Sequence, residues 1–381
     1  MSERAIDEST AGSERGPNGP HDVDVAVVGG GPAGAAAALT LLRYTTHRVA
    51  LVERSSYDDW RAGEALPPSV TPLLQYLDAA SLLGDAHLPA HGTAAAWGGA
   101  QLVARDFLFI GRGTGWHLDR CAFDRALAQL VALRGGAVMV QTTVSGECFD
   151  GKRWRLAVQR GPSRLRAEVT ARYVIDASGR RAAFARRRGA RRTVDDRLFA
   201  LVECCSFQTG APRDTFTVVE AVPLGWWYSV VVPGRRMVVA LMTDADIIRR
   251  ERLQTLSSWR ALLGSTVHTR PRLAGEQPEG PPIICPAFSQ ILDRIAGPGW
   301  IAAGDAAVSF DPLSSMGVGY AITSGIHAAR AADAALSSND ALAAEYAASV
   351  RRHYMRYLGR KREYYGMERR WKDEPFWARR R

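Results

Sequence analysis

Three glycines and one acid carry the first chemical information in this chain. Gly29, Gly31 and Gly34 form Gly-x-Gly-x-x-Gly, and Glu53 follows 19 residues after the last of them. Gly29 permits a tight turn, Gly31 leaves the backbone bare enough for a pyrophosphate to approach, and Gly34 lets a helix pack closely on a strand. A helix N-terminus at this point offers unpaired N–H groups and a positive dipole end to phosphate, while Glu53 can accept hydrogen bonds from ribose hydroxyls. Chemistry of this kind needs a strand, a helix and a second strand in that order. The sequence supplies them: a buried run over Val25–Val28, an alanine-rich helix over Ala35–Arg43, and a second strand from Val49 that ends on the acid. The chain binds a dinucleotide.

Other reactive side chains are sparse. The five cysteines, Cys121, Cys148, Cys204, Cys205 and Cys285, show no paired metal-ligand spacing, so no metal site is expected. Their odd number argues against a disulfide framework and for a reducing, cytoplasmic setting. Cys204-Cys205 reads as part of a strand. His117 and His327 read as structural rather than catalytic. The net charge of +10 raises nucleic-acid binding, yet the excess sits in Arg180–Arg192 and Arg351–Arg381, read as solvated faces with no nucleic-acid motif beside them. No apolar run approaches membrane-spanning length, so no membrane partner is expected.

The elements that must position these residues divide the 381-residue chain into five stretches. Residues 1–22 form a polar tail rich in Gly, Pro, Ser and Glu, read as disordered. Residues 23–195 hold the first part of the nucleotide domain, including a helix entered at His117–Leu127 with Asp119 as its cap, a strand over Val138–Val144 and another ending at Asp176-Ala-Ser-Gly179. Residues 196–290 change character: strand-like runs at 198–205, 215–222, 226–232 and 237–242 suggest an inserted antiparallel sheet that handles substrate. The nucleotide domain resumes over 291–340 with Gly299–Asp305 and a loop, Phe310–Gly319, leading into a helix. Residues 341–381 are helical and basic. The expected class is α/β, a Rossmann-like nucleotide domain with an α+β insert and a helical C-terminus. Gly111-Arg-Gly-Thr-Gly115 lacks the flanks of a second nucleotide fingerprint.

Taken together, Gly29–Gly34, Glu53, Gly63-Glu64, Arg120, Asp176–Gly179, Gly304-Asp305 and Asp311–Gly319 resemble the FAD-dependent monooxygenases of the aromatic-hydroxylase and tryptophan-halogenase superfamily, from about residue 22 to the end. Within it, Gly225-Trp-Trp-Tyr-Ser229, Asp311–Gly317, Tyr364–Trp371 and Phe376-Trp377 are similar to the halogenase-like flavoproteins that oxidise peptidyl tryptophan in quinone-cofactor biogenesis. The resemblance implies FAD as cofactor, with NAD(P)H or a partner flavin reductase as electron source. It implies that Asp305 binds hydroxyls on the ribityl or pyrophosphate side, that Ser315, Met316, Gly317 and Val318 present N–H groups to the flavin's pyrimidine edge, and that Arg120 lies near the pyrophosphate. It adds Pro32, Ala33, Arg54, Ala65, Val144, Gly304 and Pro312 to the cofactor's surroundings. Gly63 and Glu64 border the flavin on the substrate side.

The same resemblance tests halogenation. Tryptophan halogenases carry a lysine after the Gly-Glu loop, and here Thr93–Gly99 has none, nor does any residue from 1 to 151. Their Asp-Pro-Leu-Glu-Ser loop holds Ser314 at the glutamate, and Tyr228 and Val231 depart from Trp-x-Trp-x-Ile-Pro. The expected function is hydroxylation of an aromatic ring, an indole or tryptophan, free or held on a peptide or protein. Glu64, Trp226 and Tyr228 are the candidate catalytic residues. Trp97, Trp226, Trp227 and Tyr228 read equally as a wall for a flat substrate and as core aromatics. A halogenase, a hydroxylase or reductase of a small natural-product intermediate, and a non-catalytic flavin-binding partner are the alternatives.

Overall fold

The computed structural model describes residues 21–381 except 110–112, 208–214, 275 and 279. The polar stretch 1–20, and with it nearly all of the expected tail, lies outside the described residues, as do Gly111 and Arg112.

The β-branched run of the first strand, His21–Val28, sits at the centre of an eight-stranded sheet. It pairs in parallel with Val49–Val52 on one side and with the long strand Leu165–Asp176 on the other. Ala137–Met139 and Trp300–Ala302 extend the parallel part outward. A strand covered on both faces needs side chains that are apolar without alternation, and Val25, Ala26, Val27 and Val28 are all buried. The Pro32–Tyr44 helix lies on one face and is buried over its first ten residues, because alanines at nearly every position leave no side chain to hold neighbours away. The Gly317–Leu336 helix crosses it closely: a Cβ on Gly325 would stand 2.1 Å from the Ala33 carbonyl oxygen.

A second eight-stranded sheet is built mainly from Leu198–Phe207, Arg236–Asp244, Gly225–Val232 and Phe216–Val222, paired antiparallel in that spatial order. It also takes in Gly92–Ala96, which pairs in parallel with Phe216–Val222, and Val103–Asp106 beyond it. These two strands precede the expected insert by about a hundred residues. Gly92-Thr-Ala-Ala-Ala96 holds a single β-branched residue, Thr93, too few to mark it as a strand. At the opposite end, Ile283–Pro286 and Glu276–Pro278 both pair with Leu198–Phe207.

The Ala341–Met367 helix and the segment after it close over both layers. Trp377 Nε1 donates to the Val222 carbonyl at 2.9 Å, and Arg380 Nη2 pairs with Asp244 Oδ1 at 2.5 Å with both side chains buried. The C-terminal arginines are thus not all solvated: Arg380 is buried against Asp244 and lies 3.6 Å from the Phe376 ring centre, so it covers apolar surface as well as pairing charge. Among the described residues no helix is long and apolar enough to cross a membrane.

Candidate active site

The carboxyl ends of the parallel strands set the cofactor site. Gly29 has φ +109°, and a Cβ there would meet the Ala177 carbonyl oxygen at 2.2 Å. Gly34 is closed by the Gly29 carbonyl oxygen, 1.8 Å from where its Cβ would stand. Gly31 differs, since its Cβ would point into open space with no atom within 4 Å. It is the residue before the Pro32–Tyr44 helix, with φ −73°, so its bareness is not a backbone requirement. The open space it faces is what an approaching pyrophosphate needs, and the residues fit one. Glu53, at the end of the second strand, accepts from Gly30 N at 2.7 Å and from Ser55 N at 2.9 Å, with Arg61 Nη2 at 3.3 Å. That places its carboxylate beside the glycine loop, where a ribose would lie.

A cavity of about 410 Å³ opens from this loop. Gly31, Pro32, Ala33, Arg120, Asp305, Pro312, Ser315, Gly317 and Val318 line one side. The far side is the second sheet: Ala200, Val202, Val238, Ala240 and Met242, with Tyr228, Cys285 and Pro286. Register explains why all of these but Pro286 share a face, because Ala200 is opposite Met242 and Cys285, Val202 opposite Ala240, and Tyr228 opposite Ala240. Glu64 and Ala65 join the two sides.

Glu64 is the most unusual group in the cavity. Its carboxyl is buried, with Oε2 accepting from Gly63 N at 3.1 Å and from the Tyr228 hydroxyl at 3.4 Å, while Oε1 is buried with no partner. Burial raises its pKa, opposed by the backbone N–H groups, Arg120 and the Tyr228 hydroxyl. A buried carboxyl oxygen without a partner is costly, and a group entering the cavity would satisfy it. Asp305, which lines the cavity, is also raised by burial, against Arg180 and Arg120.

Not every expected residue reaches this space. Trp226 shares the sheet face of Tyr228 but is covered by the C-terminal helix, its Nε1 donating to the Tyr365 hydroxyl at 3.0 Å. Trp227 faces the other way against Trp259, with ring centres 4.8 Å apart, and Trp97 packs on Trp226 and Trp377. Of the four aromatics only Tyr228 lines the cavity; Trp226 and Trp227 are core, and Trp97 is partly buried against that core. Val144 is buried in the nucleotide domain and Arg54 is exposed; neither lines the cavity. Met316 lines a separate, larger opening of about 790 Å³ on the outer side of its loop, together with His327. We assign the site to the smaller cavity because it alone adjoins the glycine loop. Gly304 is held by Ser324, whose Oγ accepts from its N–H at 2.8 Å, and its Cβ would meet Ala33.

Sequence reasoning missed Arg61, Asp124, Arg180 and Cys285, all of which line the cavity. Arg180 had been grouped with a solvated arginine run. In the structure its Nε stands 3.5 Å from Asp305 Oδ2, and its Nη1 donates to the Phe288 carbonyl. Its position immediately after Asp176–Gly179 was the available signal. His117 is buried and bonds Thr217, in line with a structural role. Among the described residues no group of His, Cys, Asp or Glu could hold a metal ion.

Comparison with known proteins agrees with this geometry. Residues 24–203 match the model of the FAD dependent oxidoreductases. LodB of Marinomonas mediterranea, described as an FAD-dependent oxidoreductase, is 33% identical over 94% of this chain and 96% of its own length. The flavin-dependent halogenase CmlS superposes with a TM-score of 0.84 at 26% identity, over 94% of this chain and 68% of CmlS. The peptidyl tryptophan dihydroxylase QhpG shares the fold with a TM-score of 0.70 at 22% identity, over 94% of this chain and 78% of its own. The chain belongs to the FAD-dependent oxidoreductases.

Proposed function

We propose that this oxidoreductase is an FAD-dependent monooxygenase that hydroxylates the indole of a tryptophan side chain carried on a peptide or protein. The observation that carries the reading is the composition of the cavity: a dinucleotide cradle on one side, an apolar sheet face on the other, and between them a buried acid, Glu64, with an unpartnered oxygen. Bound FAD, reduced by NAD(P)H directly or through a flavin reductase, would supply the activation of molecular oxygen.

The chain's own residues do the rest. Gly31 and the N-terminus of the Pro32–Tyr44 helix bind phosphate, Glu53 and Asp305 accept sugar hydroxyls, and the Gly317–Leu336 helix turns its N-terminus toward the ring system. Ala200, Val202, Ala240 and Met242 exclude water and leave width for a flat ring, as oxygen-transfer chemistry requires. Glu64 Oε1 can bond an indole N–H or hold a proton for a developing hydroxyl, with Tyr228 fixing the carboxyl from its other oxygen. The likeness to QhpG, a peptidyl tryptophan dihydroxylase by name, supports the peptide-borne substrate only as a shared fold.

The halogenase reading draws on the likeness to CmlS. Against it, no lysine lines the cavity. Lys361 reaches only as far as Asp311 on its wall, at 3.9 Å, and that side chain is engaged by Asp196 and by Ser289 Oγ at 2.9 Å. The deciding experiment gives the FAD-loaded protein a reductant, oxygen and a tryptophan-bearing peptide, with free tryptophan and a simple phenol in parallel. The expected result is a mass gain of one oxygen atom per event, located on the indole by fragmentation. Oxidation of the free compounds with the peptide untouched would overturn the peptidyl substrate, and no oxidation of any of them would overturn the monooxygenase.

A further inference from the structure

The Ile283–Pro286 strand pairs with Leu198–Phe207 on one side, and among the described residues nothing pairs with it on the other. Its inner and outer backbone groups can be told apart. Ala287 N donates to the Leu198 carbonyl, and the register runs Pro286 to Phe199, Cys285 to Ala200, Ile284 to Leu201 and Ile283 to Val202. In an antiparallel pair, alternate residues turn both N–H and C=O toward the partner. Ala287, Cys285 and Ile283 therefore point inward, leaving the Ile284 N–H and carbonyl and the Pro286 carbonyl pointing out. Ile283 and Ile284 are 54% and 44% exposed, so among the described residues this edge lies open.

The same strand is a wall of the candidate active site. Cys285 lies opposite Ala200 and Ile283 opposite Val202, so the four share one sheet face, and Ala200, Val202 and Cys285 line the cavity. Ile283 carries that apolar face outward past the rim. We propose that this edge is where the substrate docks: an extended peptide segment pairs with Ile284 as an added strand and thereby lays one of its side chains over Cys285 into the cavity. This inference rests on the reading of a peptide-borne substrate and supplies the surface that such a substrate would use.

A peptide backbone is the occupant because it is what offers a donor and an acceptor at strand spacing, while alternate side chains give specificity. Strand spacing of about 4.8 Å places the added side chain next to Cys285 on the cavity face. Exposed edges are usually blunted, and Pro286 does this at one position by removing its N–H, which leaves Ile284 as the sole outward donor of the strand and limits pairing to one register. The net charge of +10 favours a segment carrying acids. The other free edge of this sheet, Val103–Asp106, is exposed too, but none of its residues lines the cavity.

The test uses the FAD-loaded protein and a short fluorescein-labelled peptide with one tryptophan set among β-branched and acidic residues, read by fluorescence anisotropy and not by turnover. Ile284→Pro removes the outward N–H without touching the ladder to Leu198–Phe207, and it should weaken binding about tenfold or more. Ile284→Val should bind as the parent does. If the proline variant folds poorly, the unaltered protein with a probe N-methylated at successive backbone positions asks the same question, and methylation at alternate positions should weaken binding. Equal binding by Ile284→Pro, indifference to every N-methylation, or no binding of the probe by the unaltered protein would each overturn the proposal. Binding that depends on the edge, with no indole oxidised, would leave the docking edge standing and reject the monooxygenase reading.

Discussion

Replacing Gly31 by alanine should separate cofactor binding from folding. At this residue φ is −73° and a Cβ would meet nothing within 4 Å, so an L side chain enters without strain or clash. Loss of glycine's freedom in the unfolded chain should leave the apo-protein as stable as before, or more stable by about 0.4–1 kcal/mol. The new methyl instead stands where a pyrophosphate must approach the helix N-terminus. If it displaces about two hydrogen bonds to a charged group at roughly 1.5–3 kcal/mol each, the loss is about 3–6 kcal/mol, or some hundred-fold to ten-thousand-fold in Kd for FAD. Gly34→Ala is the contrast: its Cβ would fall 1.8 Å from the Gly29 carbonyl oxygen, so that variant should fail in folding. Thermal denaturation of the apo-forms and titration with FAD followed by flavin fluorescence read the two effects apart. Retention of FAD by Gly31→Ala to within a few-fold would refute the assignment of the phosphate site, and a large fall in its apo stability would refute the claim that Gly31 faces open space.

Three further outcomes follow from the site. Burial raises the pKa of Glu64 above its ordinary value, so its neutral form is lost only as pH rises through the raised value; kcat/KM should fall on that alkaline side in the parent but stay level in Glu64→Gln, and identical profiles would remove the acid from the mechanism. No chlorinated or brominated product should form even in excess halide, which the halogen isotope pattern in mass spectra checks. Lys361 holds Asp196 and reaches toward Asp311 from the C-terminal helix; although burial acts to raise Asp196, the lysine's charge and hydrogen bond and the other donors keep it below its ordinary pKa. Lys361→Met should cost about 1.5–3 kcal/mol by removing the charged partner of a carboxylate that keeps its bonds from Leu198 N and Ser289 N, measured by denaturant unfolding near neutral pH, and the deficit should shrink as Asp196 is protonated in acid.

How much of this was legible in the sequence depends on how local the cause is. The glycine loop, Glu53 and the helix at Arg120 were readable because each role is set within a few residues: a turn that only glycine allows, an acid at a strand end, a cap. Asp119 illustrates the point, accepting from Ala122 N at 3.0 Å as its spacing implied. The four central strands of the second sheet were readable from their β-branched and aromatic runs. Gly92–Ala96 was not, because its place in the sheet is given by Phe216–Val222 rather than by its own residues.

The substrate side was the least legible, for the same physical reason. Trp226 and Tyr228 are two residues apart and share one face of a strand, so periodicity treats them alike. What separates them is Tyr365, 139 positions from Trp226, whose hydroxyl accepts from Trp226 Nε1 and donates to Asp311 Oδ2 at 2.7 Å. The C-terminal helix thus decides which aromatic is core and which is wall, and it ties that decision to the loop that opens the Gly317–Leu336 helix. Arg180 and Arg380 make the same argument from the charged side: composition places arginines outside, while a buried carboxylate, Asp244 for one, or a carboxylate on the cavity wall, Asp305 for the other, draws them in. A site assembled from a glycine loop, a sheet edge and a C-terminal helix inherits its chemistry from the first and its selectivity from the other two. Substitutions at Tyr365 should therefore shift which aromatic ring is accepted before they disturb FAD.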